Sequence, residues 1–185
     1  MRRIGLLPLL VLIGACQPGS LTNVKNVDSP YYPPPVGSRL ILKKELAIPV
    51  GSASVALQSG QLVSQRSVDQ YYPNCRLEVD AVLSTTQTVT ADEFLVTHVT
   101  TRSYQVMARD GIIKVGLNLA GSMSMFNYIT VMKLSSARQP QVRSLTCQQW
   151  GEPVFGKQVS IQQMRATLGD FFSLELPAGS PGEKQ

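Results

Sequence analysis

Three cysteines, one histidine and a few paired carboxylates are the residues in this 185-residue chain whose types could do chemistry. The cysteines are Cys16, Cys75 and Cys147, an odd number, so at least one stands outside an intramolecular disulfide. The histidine, His98, lies in "FLVTHVTTR", a stretch that reads as a strand, on the face of Phe94, Val96 and Thr100. Nucleophilic hydrolysis needs an exposed base beside an activated serine. Gly121-Ser122-Met123-Ser124 supplies serines but not the G-x-S-x-G elbow. His98 is therefore expected to be a strand histidine bonded to a neighbour. Glu78 and Asp80 share a face at strand spacing, the pattern that two-carboxylate glycoside hydrolysis would use. A solvated polar face is the expected reading. Asp92 and Glu93 are consecutive and point to opposite faces of an extended chain. No phosphate-binding glycine pattern occurs, and a single histidine argues against a zinc site. The sequence thus predicts no catalytic site, no metal and no cofactor.

Aromatic side chains offer a different chemistry. Tyr71, Tyr72 and Trp150 flank Cys75 and Cys147 in sequence. A disulfide between those cysteines would bring the three rings close. The cluster then reads either as a sugar-stacking or partner-binding patch, or as local packing around the bridge.

The position of Cys16 gives the chain an address. In "MRRIGLLPLLVLIGA" two arginines precede an apolar run over 4–13, and two small residues follow. That run is about half the roughly 20 residues of a spanning helix, so 1–15 reads as a secretory signal. Ile13-Gly14-Ala15-Cys16 resembles the bacterial lipobox, with isoleucine where leucine is commonest. Through this motif and its β-rich body the chain resembles small envelope lipoproteins of Gram-negative bacteria. The resemblance implies lipid on the Cys16 thiol, cleavage before Cys16, and acylation of the new amine. Gln17, where an aspartate would signal inner-membrane retention, implies the outer membrane. Two or three acyl chains hold a protein on its bilayer, whereas one does so only marginally. With Cys16 assigned to lipid, Cys75 and Cys147 remain as a pair in an oxidising compartment, where a disulfide is expected.

The net charge of +5 includes Arg2 and Arg3, and no block of Lys/Arg exceeds two in a row. Nucleic acid is excluded as a partner on that ground. The expected partners are the membrane, through the lipid, and an envelope protein. Charged residues make up 16% of the chain, too few for intrinsic disorder.

These residues must be positioned by a scaffold, and its pattern is legible. Residues 16–38 contain Pro18, Pro30, Pro33, Pro34 and Pro35 and read as a tether whose tyrosines lean on the domain. Residues 39–176 read as one β-rich domain, and 177–185 as a flexible tail. "SRLILKKELAIP" carries a dense apolar stretch at 40–42. "SASVALQSGQLVSQ" alternates around a Ser59-Gly60 turn. In "CRLEVDAVLS" the alternation places Cys75, Leu77, Val79, Ala81 and Leu83 on one face. "DEFLVTHVTTRSYQVMA" and "GIIKVGLNLA" flank an Asp110-Gly111 turn. "MFNYITVMKLSS" and "QVRSLTCQQW" join around 138–141. Ser160 and Gln163 form a capping box ahead of a helix presenting Ile161, Met164 and Leu168, with Gly169 as a left-handed stop. "DFFSLEL" is a last strand. The fold class predicted is all-β, an antiparallel sandwich or partly open barrel with one short C-terminal helix, with α+β as the alternative. The function expected is non-enzymatic: a structural, assembly or protein-binding role on a periplasm-facing outer-membrane lipoprotein. A glycan- or lipid-binding module is second and a hydrolase third.

Overall fold

The computed structural model describes residues 26–106 and 125–180. Cys16, the first part of the tether, the Asp110-Gly111 turn, "GIIKVGLNLA" and the last five residues lie outside the described residues. The strands are β1 (Arg39–Leu42), β2 (Leu46–Ile48), β3 (Ser54–Gln58), β4 (Gln61–Val63), β5 (Asn74–Val79), β6 (Gln87–Val89), β7 (Asp92–Val106), β8 (Met125–Ser135), β9 (Val142–Gly151) and β10 (Phe172–Glu175). Among the described residues one α-helix, α1 (Ile161–Leu168), precedes β10, and a short 3-10 turn spans Gln65–Ser67.

Alternation writes the sheet. Leu40 and Leu42, Phe94 and Val96, Met132 and Leu134, Cys75 and Leu77 recur at every second position and are all buried. Eight strands align them in one antiparallel sheet of order β10, β1, β7, β8, β9, β5, β3, β4, curled into a half-barrel. Of the two predicted all-β arrangements, the open barrel is the one built. Its inner face is closed by α1, through Ile161, Met164 and Leu168, and by a β2/β6 ribbon carrying Leu46, Ile48 and Val89. β6 is an element the sequence pattern did not signal: three residues between polar turns are too short for a period.

Helix α1 begins as its sequence dictates. Gln163 N–H donates to Ser160 Oγ at 3.2 Å, and Ser160 N–H donates back to Gln163 Oε1 at 2.9 Å. Its end differs in detail from expectation. Gly169 has φ 54° and ψ −137°, a positive-φ conformation outside the left-handed helical well. The cause is the β3/β4 turn. Gly60 N–H donates to Thr167 O at 3.0 Å, and a Cβ on Gly169 would lie 2.5 Å from the Gly60 Cα. The two glycines let hairpin and helix touch backbone to backbone.

Two β-bulges reset the faces of the sheet. In β7 the register passes from Val96 opposite Leu134 to His98 opposite Lys133, leaving Thr97 as an extra residue. Before it Asp92, Phe94 and Val96 point inward; after it Val99 packs on the core. His98 is therefore not on the face of Phe94 and Val96 but on the outer face, exposed. In β9 the register jumps between Glu78 and Val79, which leaves Arg143 extra. The ladder ends there, and Asp80 N–H turns to Gln141 O at 2.9 Å. β5 thus stops at Val79, and Ala81 and Leu83 are exposed rather than continuing its buried face.

The chain ahead of β1 is partly fixed. Val27 and Tyr32 pack against the core, while Tyr31 is 76% exposed. Val27 O accepts from Gln162 N–H at 3.1 Å, and Gly37 and Ser38 pair with Val96.

Cys75 and Cys147 are direct register partners on β5 and β9, fully buried, and form a disulfide with Cα atoms 4.1 Å apart. The 72-residue separation makes loop closure worth about 4 kcal/mol on the chain-entropy account.

One buried carboxylate ties the β6–β7 and β8–β9 connections together. Asp92 accepts from Ser136 Oγ at 2.6 Å, Gln139 Nε2 at 3.1 Å, Glu93 N–H at 2.8 Å and the Arg138 guanidinium, whose Nε is 2.9 Å away. Gln139 in turn exchanges hydrogen bonds with the Thr90 backbone. Burial alone would raise the Asp92 pKa, but these donors more than offset it and hold the carboxyl well below the usual carboxylate range. A depressed folded-state pKa stabilises the fold above the unfolded-state value of about 3.9, and that contribution is lost as pH falls through the folded value. Asp92→Asn should destabilise the protein by about 2–3 kcal/mol at neutral pH by replacing a charged acceptor with an amide. Urea unfolding followed from neutral pH to below about pH 4 should show the gap to wild type narrowing.

Candidate functional site

The connection between β4 and β5 folds back over the outer face of the sheet because its polar groups find partners there. Gln58 Nε2 donates to Asp69 O at 2.7 Å, and Asp69 N–H returns to Gln58 Oε1 at 3.0 Å. Trp150 N–H donates to Gln70 O at 2.7 Å, extending β9 onto this connection. Behind it runs a chain of amides: Gln148 Nε2 donates to Gln70 Oε1 at 3.2 Å, and Asn127 Nδ2 to Gln148 Oε1 and to Tyr104 Oη, each at 3.1 Å. Asp69 Oδ1 accepts from Tyr71 N–H at 3.0 Å, an Asx turn that aims the tyrosine ring at Trp150. The two rings meet edge to face, with centroids 5.7 Å apart and planes at 76°.

The opposite wall is the turn after β9. Gly156 N–H donates to Glu152 O at 2.6 Å, and Tyr128 Oη donates to the same carbonyl at 3.3 Å. The turn lies flat on the Tyr128 ring: a Cβ on Gly156 would sit 2.1 Å from Tyr128 Cε2 and 2.6 Å from Glu152 O. Gln149 Nε2 holds Lys157 O at 2.9 Å. Between the walls is an open hollow of about 470 Å³, lined among others by Tyr71, Trp150, Phe155, Glu152, Lys157 and Gln163. Phe155 is 74% exposed, and so are its neighbour Val154 at 82% and Tyr72 at 64%.

Of the residues singled out in the sequence, Tyr71 and Trp150 are brought together as expected. Tyr72 does not line the hollow; its carbonyl accepts from Asn74 Nδ2 at 3.1 Å, and its side chain is exposed. Phe155, Glu152 and Lys157 were not anticipated. The signal for Glu152 and Phe155 was the run "WGEPVFG", where glycines and a proline bound a large apolar residue in a turn; Lys157 follows it directly.

The acid–base candidates separate. His98 bonds to Thr100 Oγ1 at 3.1 Å on the outer face. Glu78 accepts from Ser144 Oγ at 2.8 Å and from Arg76 at 3.1 Å, while Asp80 is held by Arg143 Nε at 3.1 Å. Each carboxylate is engaged by its own cation.

The hollow combines an aromatic corner, an exposed phenyl wall, side-chain amides and one charge of each sign. That chemistry suits an apolar side chain or ring with polar groups around it. No family model matches the chain, and neither the curated proteins nor the solved structures contain a match to it.

Gly156→Ala cannot keep the turn on the Tyr128 ring. The variant should lose about 1–3 kcal/mol of stability and leave Trp150 more exposed. Red-shifted emission from this tryptophan, the one Trp of the chain, reports the change directly.

Proposed function

We propose that this chain is a lipid-anchored protein of the bacterial outer membrane, held by Cys16, whose domain binds an envelope protein without catalysing a reaction. The observation that carries the binding reading is the concentration of exposed large apolar side chains at one place. Tyr71 and Phe155 line one hollow with Trp150, and Tyr72 and Val154 are their chain neighbours. Aromatic side chains grouped on a surface supply most of the energy at protein interfaces, whereas scattered ones do not. The lipid reading rests on the lipobox at 13–16 and its charged, apolar leader.

A second reading, an envelope glycan in the same hollow, is favoured by Gln149, Gln163 and Glu152 around the aromatic corner. Sugar rings stack on aromatic faces while amides and carboxylates bind their hydroxyls. Trp150 separates the readings, because its emission reports from within the hollow. Titration with soluble peptidoglycan fragments should leave that emission unchanged if the ligand is a protein; a saturable blue shift would transfer the site to glycan.

Metabolic labelling with a fatty acid should mark the wild-type protein and not Cys16→Ser. A photo-crosslinking side chain at position 155 or 71 should give a discrete protein adduct in intact envelopes. An adduct pattern identical to that from position 45, on an exposed turn, would reject the protein-binding reading.

A further inference from the structure

On the outer face of the sheet, well along β5 and β9 from the aromatic hollow, lies a second concavity of about 510 Å³. Its lining is of another kind. Ala53, Ser54 and Ser144 are short side chains, and Arg76, Lys133 and Arg143 are long cations. Glu78 is the one carboxylate in the lining. We propose that this shelf is an oxyanion site that takes a phosphate group.

Three features of the local structure support it. First, the shelf is placed where the two bulges fall. Register runs from His98 to Lys133, from Lys133 to Ser144 and from Ser144 to Glu78, so these residues form one row across β7, β8, β9 and β5. Thr97, the extra residue of β7, precedes His98 at one end of the row, and Arg143, the extra residue of β9, precedes Ser144 within it. A bulge re-aims the side chain it carries, and here it sets Arg143 beside the row instead of in the ladder.

Second, the cations keep donors to spare. Glu78 Oε1 accepts from Arg76 Nε and forms an ion pair with its Nη2 at 3.1 Å, and Oε2 accepts from the Ser144 hydroxyl, so its oxygens are turned toward the sheet's own groups. Arg143 pairs its Nε with Asp80 at 3.1 Å, and among the described residues its terminal nitrogens have no acceptor. Lys133 is exposed and makes no ion pair among the described residues. Counting Asp80, three cations face two carboxylates, and the local balance is positive.

Third, the floor has room. A tetrahedral anion over Ser54 and Ser144 can accept from guanidinium and ammonium groups at once, and charge-assisted bonds of this type are the strong ones. A phosphate group matches this geometry whether it is free phosphate or the phosphodiester headgroup of an anionic lipid. The shelf does not depend on the reading of the aromatic hollow.

The test uses the full chain in zwitterionic detergent micelles, with NMR signals of the Lys133, Arg143 and Ser144 region observed. Inorganic phosphate is titrated in one arm, and micelles doped with phosphatidylglycerol are used in the other. Saturable shifts in both arms support the site with free phosphate as a ligand; shifts with phosphatidylglycerol alone support it with a lipid headgroup. Lys133→Gln with Arg143→Gln should weaken the response at least about tenfold. Lys43→Gln with Lys44→Gln, which removes the same charge elsewhere, should leave it intact. No saturable shift in either arm overturns the proposal. So does an equal loss in both variant pairs, which would reduce the effect to net charge.

Discussion

The seam between β5 and β9 is the constraint on which the remaining structure depends. Every other adjacent pair of the large sheet from β7 to β9 and from β3 to β5 is built by chain segments close in sequence. β5 and β9 come from far apart, and their contact turns two groups of strands into one half-barrel. The Cys75–Cys147 bridge crosses that seam next to its Asn74–Gln148 end, where the residues are directly opposed and fully buried. A covalent link between segments this far apart removes loop-closure entropy from the unfolded chain, and that is how the bridge stabilises the seam. The inner face then holds α1 against β3, β5 and β10, and the helix fills the curl.

Both candidate sites lie on this seam, one beyond each end of the bridge. Toward the end of β9 the amides of Gln70 and Gln148 lead to Trp150 and the aromatic hollow. Toward its start the bulge at Arg143 and the Ser144–Glu78 bond lead to the cationic shelf. A rigid seam suits this role. Side chains that must present fixed rings or fixed charges lose less on binding when the strands beneath them cannot slide.

What was legible in the sequence follows from what period-two alternation can encode. It specified the longer strands and their inner faces, because burial repeats with the pleat, while the capping box and helical spacing specified α1 and the assignment of Cys16 to lipid left Cys75 and Cys147 as a pair. It could not specify Thr97 or Arg143 as extra residues. A bulge leaves the residue types intact and shifts only their phase, so His98 was assigned to the wrong face and β5 was extended past Val79. Nor could it reveal that the turn after β9 lies on the Tyr128 ring and walls a hollow with Tyr71 and Trp150. That arrangement depends on Gly156 lying where no side chain fits, a property of the packed turn and not of the local pattern. Tyr71 and Trp150 were recoverable because both flank the cysteines that the seam unites.

The position of the tether gives the aromatic hollow a direction. Val27 bonds to Gln162, the neighbour of Gln163 in the lining, and Asp28 and Pro30 lie with Lys157 and Gln149 around an adjoining depression. The chain therefore reaches the domain beside the hollow. About ten residues separate Cys16 from Val27. At no more than about 3.6 Å per residue they span at most roughly 40 Å. On the anchored reading, the hollow cannot swing far from the bilayer whatever the tether does. A binding surface held there samples a thin layer above the membrane, where effective concentrations for a co-localised partner are high even when each contact is weak. Modest, exposed aromatic surface is sufficient under that restriction, and a deep pocket is not required.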